Sequence, residues 1–538
     1  MVYCMEEEFN FSVRKIVKGA GLVFIGIILS KIFGLIYLLI LTRWGGATQY
    51  GLLSLGIDSL TFLTAIAILG LDTALAKYIP QYLKKNNKEV MKMIAYSTFV
   101  TFCLSFFFGV LLFRYSEVLA YNLFHNLKMN IVLKIIAIGI PLNALINLFL
   151  GIVKAFQKVE YEVYSKNLIL NLCQIGFTLV ALSLGLGIFG LSMAYVASLF
   201  ITLLILFYFI EFKIFPFIQH KIILDKLTKE ITSFSAPLVF VSLLTSLIFW
   251  VDGFMLAYFK NALEVGVYKA VIPLAHLTYI IPYALTIIFM PIASGFYIEN
   301  KVENLKAITK TITKWILIPN LFILLMIILF SRRIIDILFI QEYSIGWLAF
   351  VILGVSYFIH YLMICSSFML IILKKTKLLF LDLVIGSVST IILNYKLIPL
   401  YGLTGAAIST GFSLILIALL YGAQSYYYLK INPFKKVYIK IIFSILVTLI
   451  FGILFIPAIE RLILPTIKLI GELLNKDFYN RLISLLISMG ILGLFYIIMI
   501  IVTKSFEEDD LMIIKIIREK TKLKLSFLTK FFFKPKDI

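Results

Sequence analysis

Long uncharged apolar stretches are the feature of this sequence that most limits how it can fold. Residues 316–330 and 482–502 contain no charged residue at all. A helix needs about 20 apolar residues to cross a hydrocarbon core of roughly 30 Å. Membrane-spanning strands alternate apolar and polar residues, and these stretches do not alternate. The sequence therefore predicts an all-α integral membrane protein, with about fourteen transmembrane helices by the same length criterion.

The composition excludes a soluble enzyme. Only 14% of the 538 residues are charged and 62% are hydrophobic, whereas a soluble domain carries about 25% charged residues. The net charge of +21 does not indicate nucleic-acid binding. Its lysines and arginines concentrate in short loops next to the predicted spans, where they would face anionic lipid headgroups.

The distribution of positive charge predicts the orientation of the chain. Most of the 49 Lys and Arg residues lie in the termini and in the loops that follow even-numbered helices. The positive-inside rule then places both termini in the cytoplasm of a multi-pass protein of the cell membrane. The tail, residues 504–538, mixes basic with apolar residues, which predicts an amphipathic helix on the inner membrane surface.

Two stretches of the sequence recur at one constant spacing of 215 residues. Leu41, Ala47 and Gly51 recur as Leu256, Ala262 and Gly266, and Gly187 and Gly190 recur as Gly402 and Gly405. This spacing contains six predicted helices, an even number, so the two halves would have the same orientation in the membrane. Transporters built from such parallel repeats commonly hold their substrate between the halves, near the middle of the membrane.

The repeat divides the predicted spans into two pseudo-symmetric lobes of six helices. The expected segments are a cytoplasmic N-terminus (1–18), a first lobe (19–210), a cytoplasmic linker (211–234), a second lobe (235–421), two further helices (438–503) and the basic tail (504–538).

Ionisable residues inside the predicted spans are candidates for the functional site, because burying a charge in a membrane is costly. Lys31 lies in the middle of the first span, about 18 Å below Arg43 at 1.5 Å per residue. Asp58 and Thr61 share one face of the second span. Lining of a cavity and mutual pairing of Lys31 with Asp58 are both open interpretations.

The eighth span carries Lys269 and His276 on the face that corresponds, through the repeat, to the polar face of the second span. A pseudo-twofold axis would turn both faces toward a central cleft. Asp252 lies in the seventh span, near its end, so solvation at the membrane surface is an alternative explanation for it. A lone membrane histidine such as His276 is more often a hydrogen-bonding residue than a titrating one.

A series of short motifs resembles a known family. The first half contains Ser30-Lys31, then Thr42-Arg43-Trp44-Gly45, then Tyr50-Gly51. The second half contains Asp252, then Val265-Gly266-Val267-Tyr268, then Tyr401-Gly402-Leu403-Thr404-Gly405-Ala406-Ala407. In order and spacing these motifs resemble the polysaccharide and lipid-linked oligosaccharide flippases, which belong to the superfamily of multidrug, oligosaccharidyl-lipid and polysaccharide exporters.

The resemblance implies a V-shaped cleft between the two lobes and alternating access. A lipid-linked glycan would enter this cleft from the cytoplasmic side and leave in the outer leaflet, with or without a coupling ion. Lys31 stands where relatives often have an arginine, and lysine keeps the charge without the bidentate phosphate geometry. The residues that we expect in the cleft are Lys31, Arg43, Asp58, Thr61, Asp252, Lys269 and His276.

Two other functions compete with the flippase hypothesis. An ion-coupled exporter of organic cations would suit Asp58, but Lys31 would repel such substrates. A membrane glycosyltransferase, ligase or polymerase usually needs a sizeable outer domain with paired carboxylates, and the outer loops here are short. The sequence contains no Walker motif for ATP, and its four cysteines lack metal-ligand spacing. We therefore expect no cofactor, no metal and no catalytic residue.

Overall fold

The computed structural model describes residue 26, residues 28–83, 86–217, 226–474 and 477–507, and residue 510. The predicted N-terminal segment 1–18 lies outside these residues, as does most of the tail 504–538 and part of the linker 211–234. Everything described folds into helices joined by short turns, with no strand in these ranges. The prediction of an all-α membrane protein is confirmed.

Fifteen helices follow one another in the part of the chain that the structure describes. They are α1 and α2 (Ile28–Ala67, divided at Gly46), α3 (Leu71–Leu83), α4 (Asn87–Asn122), α5 (Lys128–Ala155), α6 (Glu160–Ser183), α7 (Gly187–Ile214), α8 (Lys226–Phe259), α9 (Ala262–Ile298), α10 (Val302–Leu338), α11 (Gln341–Ile372), α12 and α13 (Thr376–Leu429, divided at Gly402), α14 (Val437–Leu474) and α15 (Asp477–Val502).

These helices account for the fourteen predicted spans. The helix α3 continues α2 after a short turn, and the two together match the predicted second span. The other thirteen helices match one span each. Within the described ranges, ten helical stretches are long and apolar enough to cross a membrane. Some helices are longer than a membrane requires: the 37 residues of α10 extend over about 55 Å.

The backbone preserves the repeat that the sequence predicts. Gly187 opens α7, and its counterpart Gly402 separates α12 from α13. Both have a φ of 56°, a left-handed conformation that a side chain with a Cβ adopts only with strain. The same sharp entry into a helix therefore occurs at equivalent positions of the two halves.

The two halves also meet in a symmetric contact between α2 and α9. A Cβ atom added to Gly51 would collide with the carbonyl oxygen of Ala262, and one added to Gly266 would collide with the carbonyl oxygen of Ala47. The four residues are two repeat-related pairs, so each contact is the image of the other. Glycine at both positions lets the two helix backbones touch, as small residues do at membrane helix interfaces.

The chain forms two compact units. The first comprises Met1–Ala270 and Ile391–Ala406, and the second comprises Val271–Thr390 and Ala407–Ile538. In the first unit, α5 packs against α2, α3, α4 and α7, and its side chains are among the most buried in the protein. The division into lobes at the linker 211–234 stays a prediction.

In the second unit, α10 packs against α14 and α15 through a cluster of apolar residues. The start of the tail is held there by charge. The fully buried Lys314 of α10 forms an ion pair with Asp510, which is equally buried. The indole nitrogen of Trp315 donates to the same carboxylate at 2.9 Å. Asp510 also accepts from the backbone N–H of Glu507 at 2.7 Å, as an acidic residue does in the first turn of a helix.

Candidate functional site

A buried ion pair joins α2 to α9 within the first unit. Lys269 Nζ lies 2.6 Å from Asp58 Oδ2, and the two side chains are only 12% and 13% exposed. The contact between Gly51 and Gly266 brings these two helices together close by. The hydroxyl group of Tyr50 adds a long hydrogen bond of 3.5 Å to the backbone carbonyl of Lys269. Charges so withdrawn from solvent persist only when each compensates the other.

A glycine on α8 makes room for this pair. A Cβ atom added to Gly253 would lie 2.8 Å from Asp58 Oδ2 and 2.9 Å from Lys269 Cε. Both distances are shorter than ordinary van der Waals contacts. Any larger residue at this position must therefore displace one of the two charged groups. Three helices thus build the site. The helix α2 supplies the carboxylate of Asp58, α9 supplies the ammonium group of Lys269, and α8 leaves space for both at Gly253.

A second carboxylate lies next to Gly253 in sequence. Asp252 is 2% exposed. Its Oδ2 accepts a hydrogen bond of 2.5 Å from the hydroxyl group of Tyr268, and its Oδ1 accepts one of 2.7 Å from the amide of Asn394. The residue is therefore buried inside the first unit, not solvated at a surface. Tyr268 immediately precedes Lys269, so the two carboxylates and the ammonium group are linked through adjacent residues of α8 and α9.

Aromatic side chains border the site on its apolar side. Phe62 of α2 contacts Trp250 and Phe254 of α8, with ring centroids 5.6 Å and 6.5 Å apart and the rings nearly perpendicular. Thr61, which precedes Phe62, bonds through its hydroxyl group to the carbonyl of Ile57 in its own helix at 2.9 Å. The hydrogen-bonding capacity of the Thr61 hydroxyl group is thus largely satisfied within α2.

Lys31 does not join this ion pair. It is exposed on α1 and forms no ion pair with any residue that the structure describes. The neighbouring Ser30 packs toward α6, where its hydroxyl group accepts from Asn171 Nδ2 at 3.3 Å. Of the two open interpretations for Lys31, pairing with Asp58 is therefore not observed, because Lys269 is the partner of Asp58. Lys31 is instead exposed.

Arg43 lies in a π-helical turn, Leu41–Gly45, at the end of α1. It is exposed, and its neighbour Trp44 is 65% exposed.

His276 belongs to the second unit, in a 3₁₀ turn that interrupts α9 at His276–Tyr279. Its Nε2 shares a hydrogen bond of 2.8 Å with the hydroxyl group of Tyr361, and its ring lies 5.0 Å from that of Tyr357. This agrees with the expectation of a hydrogen-bonding histidine.

Three residues of the site were not predicted from the sequence. The sequence did not indicate a role for Gly253, because a small residue is required there only once α8 packs against the ion pair. Asn394 lies more than a hundred residues beyond Asp252 and shares no pattern with it. Tyr268 belongs to the motif that begins at Val265, but the motif did not indicate that its hydroxyl group binds Asp252. Over the described residues, no group of three or more His, Cys, Asp or Glu side chains is placed to hold a metal ion.

Sequence comparison places the chain among proteins of polysaccharide synthesis. The family described as polysaccharide biosynthesis protein matches residues 16–295, more than half of the chain. An uncharacterized membrane protein of Methanocaldococcus jannaschii is 27% identical over 387 residues, which are 67% of this chain and 74% of that protein.

The fold resembles two kinds of solved transporter. A structure of the lipid II flippase MurJ in an inward closed conformation matches with a TM-score of 0.68 at 18% identity, over 89% of this chain and 98% of that one. An inward-facing multidrug resistance transporter of the MATE family, from the MOP superfamily, matches with a TM-score of 0.61 at 13% identity, over 75% and 94% of the two chains. Identities this low establish a common fold and nothing more.

Proposed function

Because this chain belongs to the polysaccharide biosynthesis protein family and its fold resembles those of the lipid II flippase and of a multidrug transporter, we propose that it flips a lipid-linked oligosaccharide or polysaccharide precursor. The precursor would move from the cytoplasmic to the outer leaflet of the cell membrane by alternating access. The role is transport and not catalysis, with both termini in the cytoplasm. Anionic lipids would contact the basic loops and tail.

The observation that carries this proposal is the buried pair of Lys269 and Asp58. A lipid-linked glycan presents a phosphate or pyrophosphate group at the join between lipid and sugar. Lys269 is a point charge that binds phosphate without a fixed geometry, and Asp58 neutralises it while no substrate is bound. When the cleft opens, the phosphate oxygens replace the carboxylate of Asp58 as partners of the ammonium group.

Lys31 provides a second cation for the same headgroup. Its exposure on α1 leaves it available to a substrate without breaking an ion pair first. We assign Lys31 to initial capture of the headgroup and Lys269 to its retention in the occluded site. Arg43 and Thr61 would contact the glycan.

The competing function is ion-coupled export of organic cations, which the likeness to the MATE fold suggests. One observation favours it: Asp58 and Asp252 together carry two negative charges against the single positive charge of Lys269. A cationic drug would be attracted to this excess of negative charge, whereas an anionic headgroup would be attracted to the lysines.

The test is reconstitution of the full chain in liposomes with a fluorescent polyprenyl-diphosphate-linked oligosaccharide. The measured quantity is the rate at which the inner pool becomes accessible outside. We expect protein-dependent flipping that is lost in Lys31→Ala and retained in Lys31→Arg. Lys306→Ala is the matched control, because Lys306 forms an exposed pair with Glu303.

The same vesicles discriminate between the two functions. Absence of glycan flipping, together with gradient-driven efflux of an organic cation that is lost in Asp58→Asn, would overturn the flippase proposal. Flipping at the wild-type rate in a well-folded Lys31→Ala variant would remove Lys31 from the mechanism.

A further inference from the structure

Two helix junctions of the second unit carry lysines that no acidic side chain neutralises. Lys374, Lys375 and Lys377 lie where α11 gives way to α12, and Lys430 ends α13. All four are exposed, and none forms an ion pair with a residue in the described ranges. Both junctions follow even-numbered spans, so the predicted orientation places them on the cytoplasmic side.

The sequence around these junctions is almost free of acidic residues. Between Glu342 and Glu460 the chain contains a single one, Asp382. It is 1% exposed and accepts a hydrogen bond from Gln424, so it does not lie at the surface with the lysines. Lys435, by contrast, pairs with Glu507 at 3.1 Å. The uncompensated positive charge is therefore confined to the two junctions.

Three consecutive tyrosines end α13 among these lysines. Tyr426, Tyr427 and Tyr428 are 54%, 70% and 41% exposed. Lys430 Nζ lies 5.4 Å and 5.8 Å from the ring centroids of Tyr426 and Tyr427. Lys375 Nζ lies 4.9 Å from that of Tyr428, so the two junctions touch. We call the following seven residues the lysine–tyrosine patch: Lys374, Lys375, Lys377, Tyr426, Tyr427, Tyr428 and Lys430.

The ring contacts position the lysines without occupying their hydrogen-bond donors. A ring face attracts an ammonium group electrostatically, and the three N–H donors of the group stay available to another partner. Lys430 has a φ of 53°, a left-handed conformation that is strained for a side chain with a Cβ. Its N–H bonds to the carbonyl of Tyr426 at 2.8 Å, which fixes the lysine above the rings. An anion would therefore meet donors that are already partly ordered.

The chemistry of the lysine–tyrosine patch favours a phosphorylated sugar as its ligand. Phosphate oxygens accept strong hydrogen bonds from ammonium groups, and a diphosphate carries enough charge to engage several lysines. The helix α12 begins between these lysines, and no side chain caps its N-terminus, a further place for phosphate oxygens. Exposed tyrosines offer a flat apolar face with a hydroxyl group at its edge, which suits a sugar ring. A phosphatidylglycerol headgroup would bring one charge and no ring.

We infer that the lysine–tyrosine patch binds the diphosphate and the first sugar of the lipid-linked precursor at the membrane surface, before transport. The lysines hold the diphosphate, and the exposed face of Tyr427 packs against the sugar. This inference rests on the proposed function for the identity of the ligand. It adds a capture site that lies wholly within the second unit.

The first experiment measures binding of farnesyl diphosphate that carries one N-acetylglucosamine to the purified full chain in detergent. The test variant combines Lys375→Gln, Lys377→Gln and Lys430→Gln. Each lysine near a charged surface contributes on the order of a fivefold gain in anion affinity, so we expect roughly ten- to a hundredfold weaker binding. The matched control loses three lysines from other loops on the predicted cytoplasmic side, Lys158→Gln, Lys301→Gln and Lys306→Gln, and should bind as the wild type does.

Two competitors test the class of ligand. Inorganic diphosphate should displace the probe, whereas dihexanoyl phosphatidylglycerol at the same concentration should not. Equal affinity in the test and control variants, or equal competition by phosphatidylglycerol, would overturn the inference.

Hydrogen exchange shows where the probe binds. In the wild type, the probe should slow exchange of the backbone at 374–378 and 426–431, and the test variant should lose this protection. Protection that is confined to other segments would overturn the location.

Substitution of Tyr427 tests the contact with the sugar. Tyr427→Leu should weaken binding of the glycosylated probe several-fold without changing that of farnesyl diphosphate, and Tyr427→Phe should retain both. Equal affinities of all three proteins for the glycosylated probe would refute the assignment of Tyr427.

Flipping rates in proteoliposomes separate capture from transport. We expect the test variant to need about tenfold more substrate for half-maximal flipping and to reach the maximal rate of the wild type. A reduced maximal rate at an unchanged half-saturating density would contradict a capture role. Binding at the patch without any flipping by the wild type would refute the proposed function and leave the patch as a binding site.

Discussion

Gly51 on α2 and Gly266 on α9 hold equivalent positions in the two repeats, and each lies directly against the backbone of the other's helix. Lys269 follows Gly266 by one helical turn, and Asp58 follows Gly51 by two. The close approach of the backbones therefore sets the distance between the two charged side chains. At the repeat-related positions stand Ser54 and Pro273, so a symmetric scaffold holds a single, asymmetric ion pair.

This close approach predicts that alanine is destabilising at either glycine. In Gly51→Ala or Gly266→Ala the new methyl group meets a backbone carbonyl, which cannot move aside as a flexible side chain can. We expect a loss of about 1–3 kcal/mol of stability for each variant, typical of overpacking. Thermal unfolding of the detergent-solubilised protein measures it.

Gly176→Ala is the control for these variants, because a Cβ atom there meets nothing within 4 Å. If Gly51→Ala unfolds at the same temperature as Gly176→Ala, the two backbones are not in contact.

Gly253→Ala should impair transport more than it impairs folding. Its methyl group would lie against Asp58 Oδ2 and Lys269 Cε and would force the ion pair apart. A weakening of this pair by about 1.4 kcal/mol corresponds to roughly tenfold in an equilibrium constant, so we expect a decrease of that order in flipping rate. Initial rates in proteoliposomes, normalised to the amount of folded protein, measure it. An unchanged rate would show that the pair does not depend on Gly253.

The ion pair should show strong coupling in a double-mutant cycle. Lys269→Met or Asp58→Leu alone leaves an uncompensated buried charge, for which we expect about 3–5 kcal/mol of destabilisation. The double variant removes both charges and should be close to the wild type in stability while remaining inactive. Chemical or thermal unfolding of the four proteins gives the coupling energy. Additive effects of the two single variants would argue against the pair.

The contact between Lys314 and Asp510 predicts that the start of the tail is bound to α10 by charge. Asp510→Ala leaves the ammonium group of Lys314 buried without its main partner, and we expect about 3–5 kcal/mol of destabilisation. Limited proteolysis should then cleave the tail faster than in the wild type. Lys306→Ala, which breaks only the exposed pair with Glu303, should change neither stability nor cleavage. Equal cleavage of Asp510→Ala and wild type would show that the tail is held by other contacts.

Most of the fold could be predicted from the sequence, because the apolar runs follow directly from the requirement to satisfy every backbone group within the membrane. The constant spacing of 215 residues made Gly187 and Gly402 equivalent, and the structure gives both the same left-handed conformation. The junction of α2 and α3 could not be foreseen, because their apolar sequence continues across the turn.

The candidate site was predicted in part. Asp58 and Lys269 stood out as charges on repeat-related faces, but their pairing could not be read from helical faces alone. Pairing depends on how closely α2 and α9 approach each other, and the contact between Gly51 and Gly266 sets that approach. The sequence left open whether Lys31 pairs with Asp58 or lines a cavity, and in the structure Lys31 is exposed while Lys269 is the partner of Asp58.

The division of the chain into compact units has a consequence for its synthesis. The first unit includes Ile391–Ala406, which the ribosome makes about 120 residues after Ala270. At the 5–20 residues per second typical of translation, the rest of that unit waits roughly 6–24 s for its last segment. During this interval Asp252 is already in the membrane while Asn394, the donor to its Oδ1, does not yet exist. Asp252 is thus synthesised well before the amide that donates to its Oδ1, and its hydrogen bonding is completed only after Asn394 has been made.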